Sequence, residues 1–136
     1  MKGFLLLCDF AEELNGKLYI MGGGFSRLFQ VRPTFDFSVA AKLLVPWVQT
    51  NERHTLILEL RDSDGNVVRV GEEGREVRVE GQIEVGRPPG LPQGTEIDLP
   101  LVWRMEDLPL LAGRYRWELT CGGDHVADAT LDVVPT

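Results

Sequence analysis

The fold is decided by residues 35–45, FDFSVAAKLLV, in which apolar side chains recur at every second position. Successive side chains of a β-strand point to opposite faces of the sheet, so this period indicates a long strand with one face in a core. The predicted core face comprises Phe35, Phe37, Val39, Ala41, Leu43 and Val45.

The same period recurs along most of the chain. It appears in residues 56–60, 77–85, 97–103, 115–121 and 127–133. Residues 4–10 are apolar almost throughout, which predicts a first strand buried on both faces. Turn-forming groups separate the runs, among them Asn15-Gly16, Asp62–Asn66 and Gly122–Asp124. The pattern predicts an all-β fold, a two-sheet antiparallel β-sandwich of about eight or nine strands.

The segment before the penultimate run favours an immunoglobulin-like Greek key over a barrel. Tyr115 stands near the start of a predicted strand, a few residues after Leu111. In a tyrosine corner the hydroxyl of a tyrosine at such a position forms a hydrogen bond with the backbone a few residues upstream. The alternative is an ordinary tyrosine that faces the core.

Length and cysteine content predict a single domain over residues 1–136. A chain of 136 residues buries roughly two thirds of the surface it exposes when unfolded, so it needs no metal or disulfide to hold a core. Cys8 and Cys121 stand among apolar residues and are predicted to be buried thiols. A disulfide between them is the less favoured alternative.

Charge and hydropathy argue against nucleic-acid and membrane partners. The net charge of −7 disfavours binding to phosphate-rich surfaces, which relies on Lys and Arg. The apolar run from Phe4 to Cys8 is shorter than the core of a signal peptide, and Asp9 closes it. We therefore expect a cytoplasmic protein.

No arrangement of residues indicates catalysis, a metal site or a cofactor. His54 and His125 are far apart in sequence, and neither belongs to a nucleophile or metal-spacing motif. The acidic turn Asp62–Asn66 resembles a calcium loop, but Val67 stands where that loop requires glycine. Residues 22–24, three consecutive glycines, indicate a bulge or a close backbone approach rather than a phosphate loop.

Two polar loops are the candidate binding regions. Residues 47–54 combine Trp47, Asn51 and His54, as a binding loop on a rigid scaffold would. They also suit a loop whose tryptophan caps the core. Residues 86–95 form a proline-rich loop containing Arg87, which is either a recognition element or a crossover between sheets.

Three passages together resemble a family of small bacterial proteins of unknown function. They are LLLCDFAEELNGKLYIMGGGFSR (residues 5–27), VPWVQTNERH (residues 45–54) and EVGRPPGLPQGT (residues 84–95). The resemblance implies a bacterial, non-secreted β-sandwich and brings no activity or cofactor. Its motif positions here include Asn15, Gly16, Gly22, Gly23, Trp47, Asn51, His54, Gly86 and Arg87. Turn formation does not explain Trp47, Asn51, His54 and Arg87, so these are the predicted binding residues.

Two functions of different classes remain open at this point. The favoured one is a non-enzymatic binding or scaffolding module with a protein partner, which includes self-association into a homo-oligomer. Leu44 and Ile57 are apolar at positions predicted to face outward, which indicates a covered face. The alternative is a small-molecule or carbohydrate-binding domain with its site on the two loops.

Overall fold

The computed structural model describes residues 1–136 as twelve β-strands and one short 3-10 helix. The strands are β1 (Lys2–Cys8), β2 (Phe10–Leu14), β3 (Lys17–Met21), β4 (Arg27–Phe29), β5 (Thr34–Val45), β6 (Arg53–Arg61), β7 (Arg69–Val70), β8 (Arg75–Glu76), β9 (Arg78–Glu84), β10 (Ile97–Pro109), β11 (Gly113–Cys121) and β12 (Asp124–Val134). The 3-10 helix covers Trp47–Gln49. The prediction of an all-β protein is confirmed.

Two larger sheets share one core. The three-stranded sheet has the order β1-β5-β10, and the five-stranded sheet has the order β4-β12-β11-β6-β9. All pairs are antiparallel except β4 with β12. The strand count exceeds the predicted eight or nine because the structure adds short strands, including β4, β7 and β8, that show no period of their own.

The core lies between the inner faces of these two sheets. The predicted core face of β5 is buried from Phe35 to Val45. Trp117 on β11 reaches across to Phe37, and the two rings meet edge to face with their centroids 6.1 Å apart. Such aromatic contacts stabilise a core beyond their area alone.

The hairpin of β2 and β3 covers part of the outer face of the three-stranded sheet. Cys8, Ala11 and Ala40 form a second buried cluster there, and their small side chains allow close approach. The chain bends at Asp9, so the predicted first strand is divided into β1 and β2. The prediction that this strand is buried on both faces is wrong at its ends, because Phe4 and Phe10 are exposed.

Glycines shape both ends of this hairpin. Asn15 and Gly16 adopt left-handed backbone angles, φ 53° and 77°, which suits the predicted two-residue turn. A Cβ at Gly23 would lie 2.7 Å from Ile20 Cγ2, so a larger residue there would force the Ile20 side chain to move. The predicted close approach is confirmed at Gly22 and Gly23, whereas no atom lies within 4 Å of a Cβ at Gly24, whose φ of 90° favours glycine instead.

The tyrosine corner is also confirmed. The Tyr115 hydroxyl donates a hydrogen bond to the Leu111 carbonyl over 2.7 Å. This bond fixes the turn between β10 and β11.

Both cysteines are free and buried, as predicted. Burial raises the pKa of the Cys8 thiol above its ordinary 9.0, and Asp9 beside it raises that pKa further. Burial likewise raises the pKa of Cys121. Burial, followed by the charge of Asp62, raises the pKa of the Tyr115 hydroxyl.

These shifts predict a loss of stability in alkali. In the unfolded chain the thiols ionise from about pH 9 upward, whereas the folded protein keeps them protonated. The raised thiol pKa values therefore contribute fully to the free energy of unfolding below pH 9. This contribution is lost as the pH rises through the folded pKa values. Urea unfolding between pH 7 and pH 10 measures it. A Cys121→Ala variant should lose less stability over this range; an equal loss would contradict the assignment.

Candidate binding surfaces

The loop after β5 is a short, tightly bonded turn. The Thr50 hydroxyl donates to the Trp47 carbonyl over 2.6 Å, which closes the 3-10 helix. Asn51 then adopts a left-handed conformation with φ 60°, and its N–H donates to the Val85 carbonyl over 2.7 Å. These bonds attach the loop to the chain at the end of β9.

Arg87 joins the two predicted loops directly. Its guanidinium carbon lies 4.1 Å from the centroid of the Trp47 ring, in a cation–π arrangement. Its Nε donates to Thr50 Oγ1 over 2.6 Å, and its Nη2 donates to the Trp47 carbonyl over 2.8 Å. The guanidinium therefore covers one face of a half-buried indole and holds the proline-rich loop against the 3-10 helix.

His54 contacts the same turn from β6. Its Nε2 lies 2.8 Å from the Gln49 carbonyl oxygen. Because a carbonyl can only accept, Nε2 carries a proton in this contact. The side-chain oxygen of Gln49, Oε1, is buried and has no hydrogen-bond partner.

The structure thus brings the predicted binding residues together to different degrees. Trp47 and Arg87 are in contact, His54 joins them through Gln49, and Asn51 contributes its backbone while its residue is exposed. All of these bonds link groups of the protein to one another. Binding by Trp47, Asn51, His54 and Arg87 stays a prediction.

Removing the Arg87 side chain should loosen this arrangement. We expect Arg87→Ala to lower the free energy of unfolding by about 1–2 kcal/mol, because the cation–π contact and two hydrogen bonds are lost and the buried Thr50 hydroxyl loses a partner. Arg53→Ala, at an exposed arginine without an ion pair, is the control and should change stability little. Equal effects in urea titrations would show that Arg87 is not a structural link.

A second surface was not predicted from the sequence. Four large apolar side chains share the outward side of the β2–β3 hairpin: Phe10, Leu14, Tyr19 and Met21, which are 48%, 49%, 54% and 68% exposed. We call these four residues the hairpin face. Phe10 pairs with Met21, and Leu14 pairs with Lys17. Because alternate residues of a strand share a face, all four residues of the hairpin face lie on one side.

The hairpin is fixed at its base by Arg104 of β10. Its Nη1 donates to the Asp9 carbonyl over 2.7 Å, and its guanidinium carbon lies 6.0 Å from the Phe10 ring centroid. A sequence signal for the hairpin face did exist. The Asn15-Gly16 turn predicts a hairpin, and both sides of that hairpin carry large apolar residues. A hairpin that lies on a sheet buries only one of its sides, so the other side is left exposed.

Two general features of the structure bear on its function. No group of three or more His, Cys, Asp or Glu side chains is placed to hold a metal ion. Among its elements, none is a helix with the length and apolar content that spanning a bilayer requires.

Comparison with known proteins identifies a family. The sequence model of a family of unknown function covers residues 3–134, nearly the whole chain. The predicted resemblance to a family of unknown function is therefore confirmed. A search of curated proteins finds no similar sequence.

Proposed function

For a chain that belongs to DUF6941, a family of unknown function, we propose the role of a non-enzymatic module that binds another protein through the hairpin face. The observation that carries the proposal is the set of four large apolar side chains exposed on one side of one hairpin. Scattered exposed apolar residues are normal on protein surfaces, but a contiguous group commonly marks an interaction site.

The fold does not require the hairpin face to be apolar. The opposite side of the hairpin supplies the packing, since Ala11 is buried against Cys8 and Ala40. Tyr19 and Met21 are more than half exposed and could be polar at little cost in stability. A partner that covers Tyr19 and Met21 best explains why these two exposed positions are apolar.

The chemistry of the hairpin face indicates the kind of partner. Its two charged neighbours on the same side, Glu12 and Lys17, balance each other. The surface is therefore apolar and locally neutral, although the whole chain carries a net charge of −7. It suits an apolar protein surface with an aromatic-accepting pocket, because tyrosine and methionine are enriched at such contacts.

Photo-crosslinking in the native host tests the proposal. A photoreactive phenylalanine analogue in place of Tyr19 or Met21 should trap the same protein adduct. The same analogue at Thr130, an exposed position on the five-stranded sheet, is the control. The proposal fails if positions 19 and 21 give no adduct, or if all three positions give the same one.

The proposal extends to location and to chemistry. We place the protein in the bacterial cytoplasm, acting without a cofactor and without nucleic-acid or membrane partners. The net charge of −7 supports the expectation that nucleic acids and anionic membranes are not its partners. We also keep the immunoglobulin-like Greek key as part of the proposal, supported by the bond from Tyr115 to Leu111.

A second candidate function is favoured by the Gln49 side chain. Its Oε1, two positions from the half-buried Trp47, is buried without a hydrogen-bond partner, and a small rearrangement of the turn that exposed this oxygen would let it accept a hydrogen bond from a ligand hydroxyl. In this alternative the loops 47–54 and 86–95 bind a small molecule or carbohydrate. Titration with glucose and cellobiose, followed by the Trp47 indole signal in NMR spectra, tests it. An unchanged signal with both sugars, at concentrations that saturate weak sites, argues against carbohydrate binding.

A further inference from the structure

β9 is an edge of the five-stranded sheet, and its outer side is unpaired. It pairs only with β6, over the unbroken register from Arg53 with Glu84 to Glu59 with Arg78. An unpaired edge presents backbone donors and acceptors to another strand. β9 contains no proline, in contrast to β10, an edge strand of the three-stranded sheet, which contains Pro100.

Two hydrogen bonds fix which β9 groups point outward. The Leu60 N–H donates to the Val77 carbonyl, and on the other side of β6 the Gly122 N–H donates to the Thr55 carbonyl. Even-numbered residues of β6 therefore bond toward β9, and odd-numbered ones bond toward β11. The backbone groups directed to the free edge belong to Arg78, Glu80, Gln82 and Glu84.

The sequence of β9, RVEGQIE, is complementary to itself in the reverse direction. Antiparallel pairing about a two-fold axis at Gly81 sets Arg78 opposite Glu84 of a second copy. It also sets Val79 opposite Ile83, and Glu80 opposite Gln82. Opposite charges, apolar pairs and hydrogen-bonding pairs each stabilise neighbouring strands. The pairing matches even-numbered residues with even-numbered ones, as the free backbone groups require.

The charges on β9 agree with this pairing. Within its own chain Arg78 bonds to Glu80 over 2.8 Å and lies 3.8 Å from a carboxylate oxygen of Glu59 on β6, so Glu84 of a second copy would join an existing ion-pair group. Glu84 makes no ion pair in its own chain, although Arg53 stands opposite it on β6. It is thus available to Arg78 of a second copy. At Gly81, where the two strands would approach most closely, no atom lies within 4 Å of an added Cβ.

The core is open along the same side of the molecule. The inward row of β10 packs against the core yet stays only partly buried: Leu99, Leu101, Trp103 and Met105. Val79 on β9 faces the same opening and is 42% exposed. A cleft of about 350 Å³ lies there, between the start of β9 and the end of β10. We call this cleft, which is lined by Val77 and Val79 on one side and by Met105 and Leu108 of β10 on the other, the seam.

We propose that two copies of this chain associate by antiparallel pairing of β9 with β9, centred on Gly81. A two-fold axis perpendicular to the sheet keeps both inner faces on the same side. The two five-stranded sheets then form one continuous sheet, and the seam of each copy lies next to the end of β9 of the other copy. This inference concerns a different surface from the hairpin face and does not rest on the proposed function.

The molecular mass in solution tests the association. Sedimentation equilibrium of the full chain should show a monomer–dimer equilibrium, with twice the mass of one chain at high concentration. A single-chain mass at every concentration would overturn the inference. Crosslinking at Tyr19 can succeed or fail independently of this result, so the two proposals are separable.

Two edge variants identify the surface. Glu84→Arg sets two positive side chains against each other, because position 84 of one copy faces Arg78 of the other, twice per dimer. It should raise the dissociation constant at least about tenfold. Gln82→Pro removes an outward N–H without touching the ladder to β6, and should weaken the dimer at least as much. The second variant must keep the far-ultraviolet CD spectrum of the parent.

A matched control separates the edge effect from net charge. Asp128→Arg makes the same charge change on exposed β12, three strands away from β9. It should leave the dissociation constant unchanged or slightly lower, because it reduces repulsion between two acidic chains. A dimer that withstands both Glu84→Arg and Gln82→Pro would place the contact elsewhere and overturn the inference.

Discussion

Replacing Trp117 by alanine is expected to lower the free energy of unfolding by about 3–5 kcal/mol. Trp117 is fully buried in β11, meets Phe37 edge to face and pairs with Leu60 on β6. Its removal takes away the largest buried side chain of the core and leaves a cavity between the two sheets. Urea titration monitored by far-ultraviolet CD measures the change.

Two further variants make this prediction specific. Trp103→Ala removes the same side chain from the partly buried row of β10 and should cost clearly less. Trp117→Phe should cost only about 1–1.5 kcal/mol, because it keeps an aromatic ring and removes an indole N–H that is buried without a partner. Equal losses for Trp117→Ala and Trp103→Ala would contradict the assignment of the core.

The paired substitution Tyr19→Ser and Met21→Ser should abolish most binding at the hairpin face. Aromatic anchors at protein interfaces commonly contribute about 2 kcal/mol or more, so affinity for the protein trapped at position 19 should fall about thirtyfold or more. The free energy of unfolding should change by no more than about 0.5 kcal/mol for each exposed position.

A single substitution elsewhere serves as the control. Leu111 is 80% exposed on the turn between β10 and β11, away from the hairpin. Leu111→Ser should leave the affinity unchanged, although it too removes an exposed apolar side chain. If both variants weaken binding equally, apolar exposure in general explains the contact, and the hairpin face is not its site.

Much of this fold could be predicted from local patterns. The alternation in residues 35–45 predicted the core face of β5, because side-chain direction in a strand depends only on position. The Asn15-Gly16 turn and the Tyr115 corner were predictable for a similar reason: each rests on residues close together in sequence. The one predicted strand that failed, residues 4–10, is interrupted at Asp9, where the chain turns to lay the hairpin over the sheet.

The surfaces were harder to predict because they depend on contacts distant in sequence. Trp47 and Arg87 stand 40 positions apart, and no local pattern shows that the guanidinium stacks on the indole. The hairpin carries large apolar residues on both sides, so the sequence alone could not indicate which side the sheet covers. The open edge of β9 likewise follows from strand order, which alternation does not specify.

Hydrogen exchange of the chain, free and bound to the protein trapped at position 19, tests the central claim most directly. Binding at the hairpin face predicts slower amide exchange in residues 10–21 and unchanged exchange in residues 47–54 and 86–95. Protection confined to the two loops, with the hairpin unchanged, would contradict the claim and favour the loop site around Trp47 and Arg87.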